Sequence, residues 1–170
     1  NVDYTQGAMR NAVKKDFRDI YSSPMSQGTR CHQLATYIVF DSPLVMLCDA
    51  PTAYRKEPEC TRFIAGLPVV ADETRILQGK MGEYIVTARR VGEDWIVGGL
   101  TDWEARTVDL DLSFLPEGMF RAEIFCDGIN ADKKGEDYRH EYRDVKREDR
   151  LKMQLAPGGG FAIRLKKNHN

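Results

Sequence analysis

The sequence lacks an apolar run long enough to cross a membrane. A membrane-spanning helix needs about 20 consecutive apolar residues, and the longest apolar stretch, residues 34–48, is interrupted by Asp41, Ser42 and Pro43. It also lacks an excess of either charge, because 25 basic side chains stand against 26 acidic ones and the net charge is -1. Nucleic-acid binding needs a clustered basic excess. We therefore expect neither a membrane span nor a nucleic-acid partner.

Cysteine and histidine are scarce and scattered. The four cysteines form no Cys-x-x-Cys pair and lie at Cys31, Cys48, Cys60 and Cys126. A structural zinc site needs four ligands brought together by close spacing, so we expect no metal site in this chain. The cysteines are compatible with two disulfides or with free thiols. We favour thiols, because an unpaired cysteine packs readily as a small apolar side chain.

The first residues contain no targeting signal. The chain opens on Asn1 and has neither the basic stretch nor the apolar core of a signal peptide. This beginning is typical of a fragment or a processed product, so we expect further sequence before Asn1.

Two segments in the first third have the apolar spacing of helices. Apolar side chains recur every three or four positions over residues 8–21, which predicts an amphipathic helix. A second helix is expected to begin near the capping candidates Ser26 and Thr29, run to Phe40 and break near Pro43. It is apolar on more than one side, so we expect it to pack inside something larger.

The sequence from Lys80 onward changes to a two-residue period. Residues 50–79 are expected to form a connector with a short helix over residues 59–65, and we divide the chain into domains 1–68 and 69–170. Turn signals then separate seven short alternating runs with no helix between them, which predicts an antiparallel β-sandwich and a mainly β fold. These runs lie at residues 84–88, 95–97, 108–112, 120–124, 138–145, 151–155 and 161–165. The run 138–145 is polar, as expected of an edge strand.

Paired carboxylates are the first candidates for catalysis, because glycoside hydrolysis uses two of them. The pairs in this chain are Asp72 with Glu73, Asp102 with Glu104, Asp109 with Asp111, and Glu136 with Asp137. Charges that alternate with apolar strand residues are typical of a solvated sheet face, and an ion pair with Arg75 or Arg62 accounts for Asp72 and Glu73. We therefore expect no catalytic residue among them.

Other candidate sites have simple structural interpretations. Trp103 is a candidate carbohydrate-stacking platform, although a core or interdomain position is the commoner role of tryptophan. Cys31 and His32 are neighbours on the second helix and point about 100° apart, so they cannot act as nucleophile and base. The segment Pro157-Gly158-Gly159-Gly160 precedes a strand, which favours a hairpin turn over a phosphate site.

Several segments, taken in order, resemble glycoside hydrolase family 97. They are Val2-Asp3-Tyr4-Thr5-Gln6-Gly7, the run from Met25 to Ala35, Ser42-Pro43-Leu44, the run from Asp72 to Arg75, Gly79-Lys80, the run from Gly82 to Ile85, Ala88-Arg89-Arg90, Thr101-Asp102-Trp103 and Gly158-Gly159-Gly160. Together they span nearly the whole chain. The resemblance is to the C-terminal region of that family.

The resemblance implies the end of a catalytic (β/α)8 barrel followed by a C-terminal β domain. On this template residues 1–7 would close the last barrel strand, residues 28–50 would form the last barrel helix, and the sandwich would follow. The remainder of the parent glycosidase would be a partner, and a homo-oligomer is a further expectation. Such enzymes hydrolyse α-glucosides or α-galactosides with calcium, and the resemblance suggests a periplasmic or secreted bacterial protein.

The catalytic acid, the base or nucleophile and the calcium-binding glutamates of such enzymes precede the segment that begins this chain. The resemblance therefore transfers no catalytic or metal-binding role to any residue here. Only Asp3 and Tyr4 would approach the substrate, because active sites of these barrels lie at the C-terminal ends of the strands. The alternative is a carbohydrate-binding module in which Trp95 or Trp103 stacks on a sugar.

Overall fold

The computed structural model describes residues 4–42 and 44–168. Its strands are β1 (Tyr4–Thr5), β2 (Asn11–Ala12), β3 (Ser26–Gln27), β4 (Val45–Met46), β5 (Glu73–Lys80), β6 (Tyr84–Val91), β7 (Asp94–Thr101), β8 (Arg106–Asp111), β9 (Phe120–Asp127), β10 (Tyr138–Val145), β11 (Arg150–Leu155) and β12 (Gly160–Lys167). Its helices are α1 (Arg30–Val39), α2 (Pro51–Lys56) and α3 (Pro58–Ala65). None of the helices in these ranges is long and apolar enough to span a membrane.

The predicted β-sandwich is confirmed. Six antiparallel strands pair in the order β10-β9-β12-β7-β6-β5, and β8 pairs with β11 in a second, two-stranded sheet. The core between the sheets contains large side chains from both, among them Trp95, Phe120, Phe161, Leu110 and Met153. Each strand alternates between this core and the opposite face, as the two-residue period predicted.

The six-stranded sheet is buried on its outer face as well. Helices α1 and α3 cover it, and Leu34, Ile38 and Phe63 form a second core with Ile96 and Phe125 of the sheet. The apolar helix predicted before residue 43 is α1, and it finds these partners within the chain itself. Its burial on several sides is thus explained by a sheet that the sequence pattern placed in a separate domain.

Close backbone approach brings α1 against the sheet. A side-chain carbon at Gly98 would lie 2.9 Å from Ile38 Cβ and 3.0 Å from the carbonyl oxygen of Ala35. At Gly160 the same carbon would lie 2.9 Å from His32 Cα. Both glycines therefore supply the space that the helix occupies.

Three local predictions are wrong. Residues 8–21 contain no helix; β2 and a series of turns replace it, because side chains of α1 bind the backbone carbonyls there. Residues 44–48 contain β4 and do not continue a helix. The sheet begins at Glu73 with the largely exposed strand β5, which the charged sequence suggested to be a loop.

Other features agree with the sequence. Thr29 caps α1 by accepting a hydrogen bond from the backbone N–H of His32. Helix α3 coincides with the expected short helix, and β10 is the polar edge strand. All four cysteines are free thiols, and Cys48 alone among them is exposed.

Candidate functional site

Helix α1 and the sandwich meet at a buried polar cluster. We call this cluster the junction, and it comprises Thr29, His32, Asp127 and Gly158–Gly160. Asp127 ends β9 and is 7% exposed. Its Oδ1 accepts a hydrogen bond from Thr29 Oγ1 at 2.6 Å, and its Oδ2 accepts from the backbone N–H groups of Ala156 and Gly160 at 2.8 and 3.0 Å. One carboxylate thus connects α1, β9 and the turn before β12.

The carboxyl group of Asp127 has an unusual proton affinity. Burial raises its pKa to about 6, against the opposing effect of the hydrogen bonds from Thr29, Ala156 and Gly160. It borders a surface cavity of about 450 Å³ that Arg139 also lines. A perturbed carboxyl group in a cavity is a candidate acid or base. Here both oxygens are bonded to fixed donors of the fold, so the geometry favours an anchoring role.

The glycine-rich turn between β11 and β12 is a docking surface for the start of α1. The backbone N–H of Thr29 donates to the carbonyl of Gly158 at 2.9 Å, and His32 Nδ1 lies 3.2 Å from the carbonyl oxygen of Gly159. Burial lowers the pKa of His32, which favours the neutral ring. Because a carbonyl oxygen can only accept a hydrogen bond, Nδ1 is the nitrogen that donates. The sequence correctly predicted a turn here, but the turn is not a hairpin, because β11 pairs with β8 in the small sheet and β12 pairs with β9 and β7 in the large one. The sequence contained no signal for the helix that docks on this turn.

Arg30 connects residues 9–11 to α1. It is 1% exposed, and its Nε donates to Asn11 Oδ1 at 2.5 Å while Nη2 donates to the carbonyl of Met9 at 2.5 Å. Its Nη1 lies 3.3 Å from Glu57 Oε2 and its Nη2 3.8 Å from Glu136 Oε1. A buried guanidinium needs such partners, and they come from three separate parts of the chain.

Trp103 is half-buried beside the junction. Its ring packs against Gly158, where an added side-chain carbon would lie 2.3 Å from Trp103 Cζ3, and Lys14 Nζ lies 5.6 Å from the ring centroid. Carbohydrate stacking by Trp103 stays a prediction. Trp95, the other proposed platform, is 2% exposed and packs edge-on against Phe114 inside the sandwich, so its ring has no exposed face on which a sugar could stack.

Asp3 lies outside the described residues. Tyr4 is half-buried in β1 and its ring packs edge-on against Phe40 at 4.6 Å. Burial raises the pKa of its hydroxyl group, and a hydrogen bond with Thr36 opposes this. The roles of Asp3 and Tyr4 near a substrate stay predictions.

The remaining candidate groups form ion pairs or lie buried. Glu73 pairs with Arg75 at 2.6 Å, as predicted. Asp72 also forms an ion pair, but with Arg90 at 3.6 Å and not with Arg75 or Arg62. Asp109 and Asp111 both pair with Arg150 on the exposed face of the small sheet.

Cys31 is fully buried, and burial raises the pKa of its thiol, so it is a poor nucleophile. Within residues 4–42 and 44–168 no three histidine, cysteine, aspartate or glutamate side chains converge as metal ligands.

The fold and the junction define an antiparallel β-sandwich module joined by buried contacts to a short strand-helix-strand segment. The chain belongs to the family described as "Glycosyl-hydrolase 97 C-terminal, oligomerisation", whose model matches residues 70–166. The resemblance to glycoside hydrolase family 97 is thereby confirmed.

Two curated relatives match nearly the entire chain. A "Retaining alpha-galactosidase" of Bacteroides thetaiotaomicron is 58% identical over 97% of this chain and 25% of its own length. A "Probable retaining alpha-galactosidase" of Streptomyces bingchenggensis is 30% identical over 95% of this chain and 23% of its own length. The chain therefore spans about a quarter of the relatives it matches.

Solved structures show the same relationship. A glycoside hydrolase family 97 enzyme from Pseudoalteromonas sp. strain K8, in complex with acarbose, has a TM-score of 0.81 and 38% identity over 84% of this chain and 23% of its own. A β-arabinopyranosidase has a TM-score of 0.66 and 27% identity over 85% of this chain and 22% of its own.

Proposed function

We propose that this chain is the non-catalytic C-terminal part of a glycosidase that hydrolyses α-galactosides with retention of configuration. The 58% identity to a retaining α-galactosidase along 97% of the chain carries the proposal. Among the candidate carboxylates, Glu73 pairs with Arg75 and Arg90, and Asp109 and Asp111 both pair with Arg150. On this proposal the catalytic carboxylates and the calcium site belong to the rest of the enzyme.

The segment before the sandwich supports this assignment. Strand β1 pairs in parallel with β4, and α1 lies between them in the chain. A strand-helix-strand unit with parallel strands is the repeating element of a (β/α)8 barrel. We assign β4, and not the segment around Tyr4, to the last barrel strand, so Tyr4 would lie on the strand before it.

We infer a structural role for the module from the junction and from the second core. Helix α1 would contribute to the barrel through its strands while it packs on the six-stranded sheet through Leu34 and Ile38. A helix that contacts both parts fixes the position of the sandwich relative to the end of the barrel. The function that we assign to the module is therefore to cover and hold the barrel and to support self-association, as the family description indicates.

Activity of the isolated chain and of the full-length enzyme tests the catalytic part of this proposal. With calcium present, the full-length enzyme should hydrolyse an aryl α-galactoside faster than the matching α-glucoside, and the isolated chain should match a buffer control with both. Hydrolysis by the isolated chain would contradict the non-catalytic assignment. Preference of the full-length enzyme for the glucoside would contradict the substrate assignment.

Light scattering tests the self-association. The mass of the chain should rise with concentration, and a monomer at every concentration would remove this part of the proposal. The alternative role as a carbohydrate-binding module predicts a change in tryptophan fluorescence on titration with maltooligosaccharides. The variant Trp103→Phe should lose that change if Trp103 is the platform, whereas an unchanged spectrum of the original chain would exclude this role.

A further inference from the structure

A basic cavity lies between the end of α3 and the outer face of the six-stranded sheet. It measures about 340 Å³, and its wall includes Gly66, Pro68, Arg89, Asp94, Arg164 and Lys166. Arg164 and Lys166 are two positions apart on β12, so their side chains share the outer face of the sheet. Three cationic side chains and one carboxylate thus converge on one cavity, which gives it a formal charge excess of about two.

Two of the cationic groups have unused hydrogen-bond donors. The side chain of Arg89 is 5% exposed; its Nη2 lies 3.1 Å from Asp41 Oδ1 and 3.4 Å from the carbonyl oxygen of Val69, and its buried Nε has no acceptor. Arg164 donates from Nη2 to the carbonyl of Phe63 at 2.7 Å, and its buried Nε likewise has none. A buried donor without an acceptor destabilises the fold, and a ligand that supplies the acceptor removes that cost.

The nearby carboxylates bind other groups and leave the two Nε–H groups without an acceptor. Asp94 Oδ1 accepts from the backbone N–H of Lys167 at 3.0 Å. Asp41 is 75% exposed, so its pair with Arg89 is reached by solvent. Glu123 lies 3.8 Å from Arg164 Nη1 and also binds Tyr142 and His140.

Lys166 is exposed and forms no ion pair with any of the residues that the structure describes. With Asp41, Asp94 and Glu123 all counted, the charges around the cavity balance. The groups that stay unpaired are the ammonium group of Lys166 and the Nε–H groups of Arg89 and Arg164.

We propose that this cavity binds a small organic carboxylate. The planar carboxylate matches the edge of a guanidinium group, where two parallel N–H groups donate together. Pro68, Val91 and Ile96 supply apolar wall for the body of such a ligand. Both Nε atoms are buried in the structure. In the proposed complex each guanidinium group therefore turns its Nε–H edge toward the cavity, and Arg89 gives up its solvent-exposed partner Asp41 while Arg164 gives up its bond to the carbonyl of Phe63. Lys166 lies at the surface, where its positive charge attracts the anion.

Titration with benzoate tests the proposal on the chain itself. Resonances of the Arg89 and Arg164 Nε–H groups should shift in nitrogen-proton spectra and saturate, and calorimetry should give one site. The variant Lys166→Glu should raise the dissociation constant for benzoate at least tenfold, and Lys166→Ala should raise it by a smaller factor. The matched variant Lys152→Glu, on the exposed face of the small sheet, should leave binding unchanged.

Three results would overturn the proposal. They are no saturable shift at either arginine, equal loss of affinity in Lys152→Glu, and equal effects of benzoate and of sodium chloride at the same ionic strength. Binding of inorganic phosphate without binding of acetate or benzoate would overturn the carboxylate class. Because Lys166 is exposed, circular dichroism of its variants should match that of the original chain, and the test does not depend on the activity of the full-length enzyme.

Discussion

Thr29 and Asp127 are joined by a 2.6 Å hydrogen bond although 98 positions separate them in the chain. The same hydroxyl group accepts from the backbone N–H of His32 and so caps α1. One side chain thereby fixes where the helix begins and where it sits on the sandwich.

Replacement of this hydroxyl group should destabilise the chain. Thr29→Val removes the cap and leaves Asp127 Oδ1 without its donor, so we expect a loss of about 2 to 4 kcal/mol in the free energy of unfolding. Urea denaturation followed by circular dichroism measures it. Thr107→Val, at an exposed position of β8, is the control and should change stability by less than about 0.5 kcal/mol. Equal effects of the two variants would contradict the junction.

Asp127 should make stability depend on pH. Because its pKa is raised from 3.8 to about 6, its contribution is fully present below pH 4 and is lost as the pH rises through 6. Relative to Asp127→Asn, the free energy of unfolding of the original chain should fall by about 3 kcal/mol at most between pH 4 and pH 7. Urea titrations of both proteins at several pH values give this difference, since other titrating groups cancel. A difference independent of pH would refute the raised pKa.

Gly98 should tolerate no side chain. The added carbon of Gly98→Ala would press on Ile38 and on the carbonyl of Ala35, so we expect α1 to shift away from the sheet at a cost of about 1 to 3 kcal/mol. Hydrogen exchange should accelerate in α1 more than in β9. Gly79→Ala, where the nearest atom lies 3.3 Å away, is the matched control in an edge strand. If both variants cost the same, close helix packing is not the cause.

Arg30 should hold residues 8–12 in place. Arg30→Met keeps most of the volume and removes the bonds to Asn11 and Met9, leaving buried acceptors unpaired, so the expected loss is about 3 to 5 kcal/mol. The backbone N–H groups of residues 8–12 should lose protection against hydrogen exchange more than those of the rest of the chain. Arg55→Met on the exposed surface of α2 is the control. Unchanged protection of residues 8–12 would show that Arg30 does not fasten this segment.

Thiol chemistry should separate one cysteine from the others. Cys48 is exposed, whereas Cys31, Cys60 and Cys126 are buried and burial raises their pKa values. A thiol reagent should label one cysteine per folded chain rapidly and four after denaturation. Cys48→Ala should abolish the rapid phase. Fewer than four labelled groups in the unfolded, unreduced chain would indicate a disulfide.

The sequence alone determined the β-sandwich, its polar edge strand, the capped helix and the family resemblance. These features rest on local signals: a two-residue period, turn residues, and a threonine three positions before the N–H that it caps. Strand β5 was missed because its exposed charged residues resemble a loop. The helix expected over residues 8–21 had the right spacing, but Arg30 and Gln33 bind the carbonyls that a helix would need.

Only the tertiary structure decided how the helical segment and the sandwich share a core. Asp127 followed by glycine is an ordinary turn signal, and nothing near it in the chain indicates that Thr29 donates to it. The charges of Arg89 and Arg164 likewise gain meaning only when β6 and β12 place them around one cavity. Burial and partners of a charged side chain depend on segments distant in sequence, so local periodicity could predict the layers of this protein but not the polar contacts that join them.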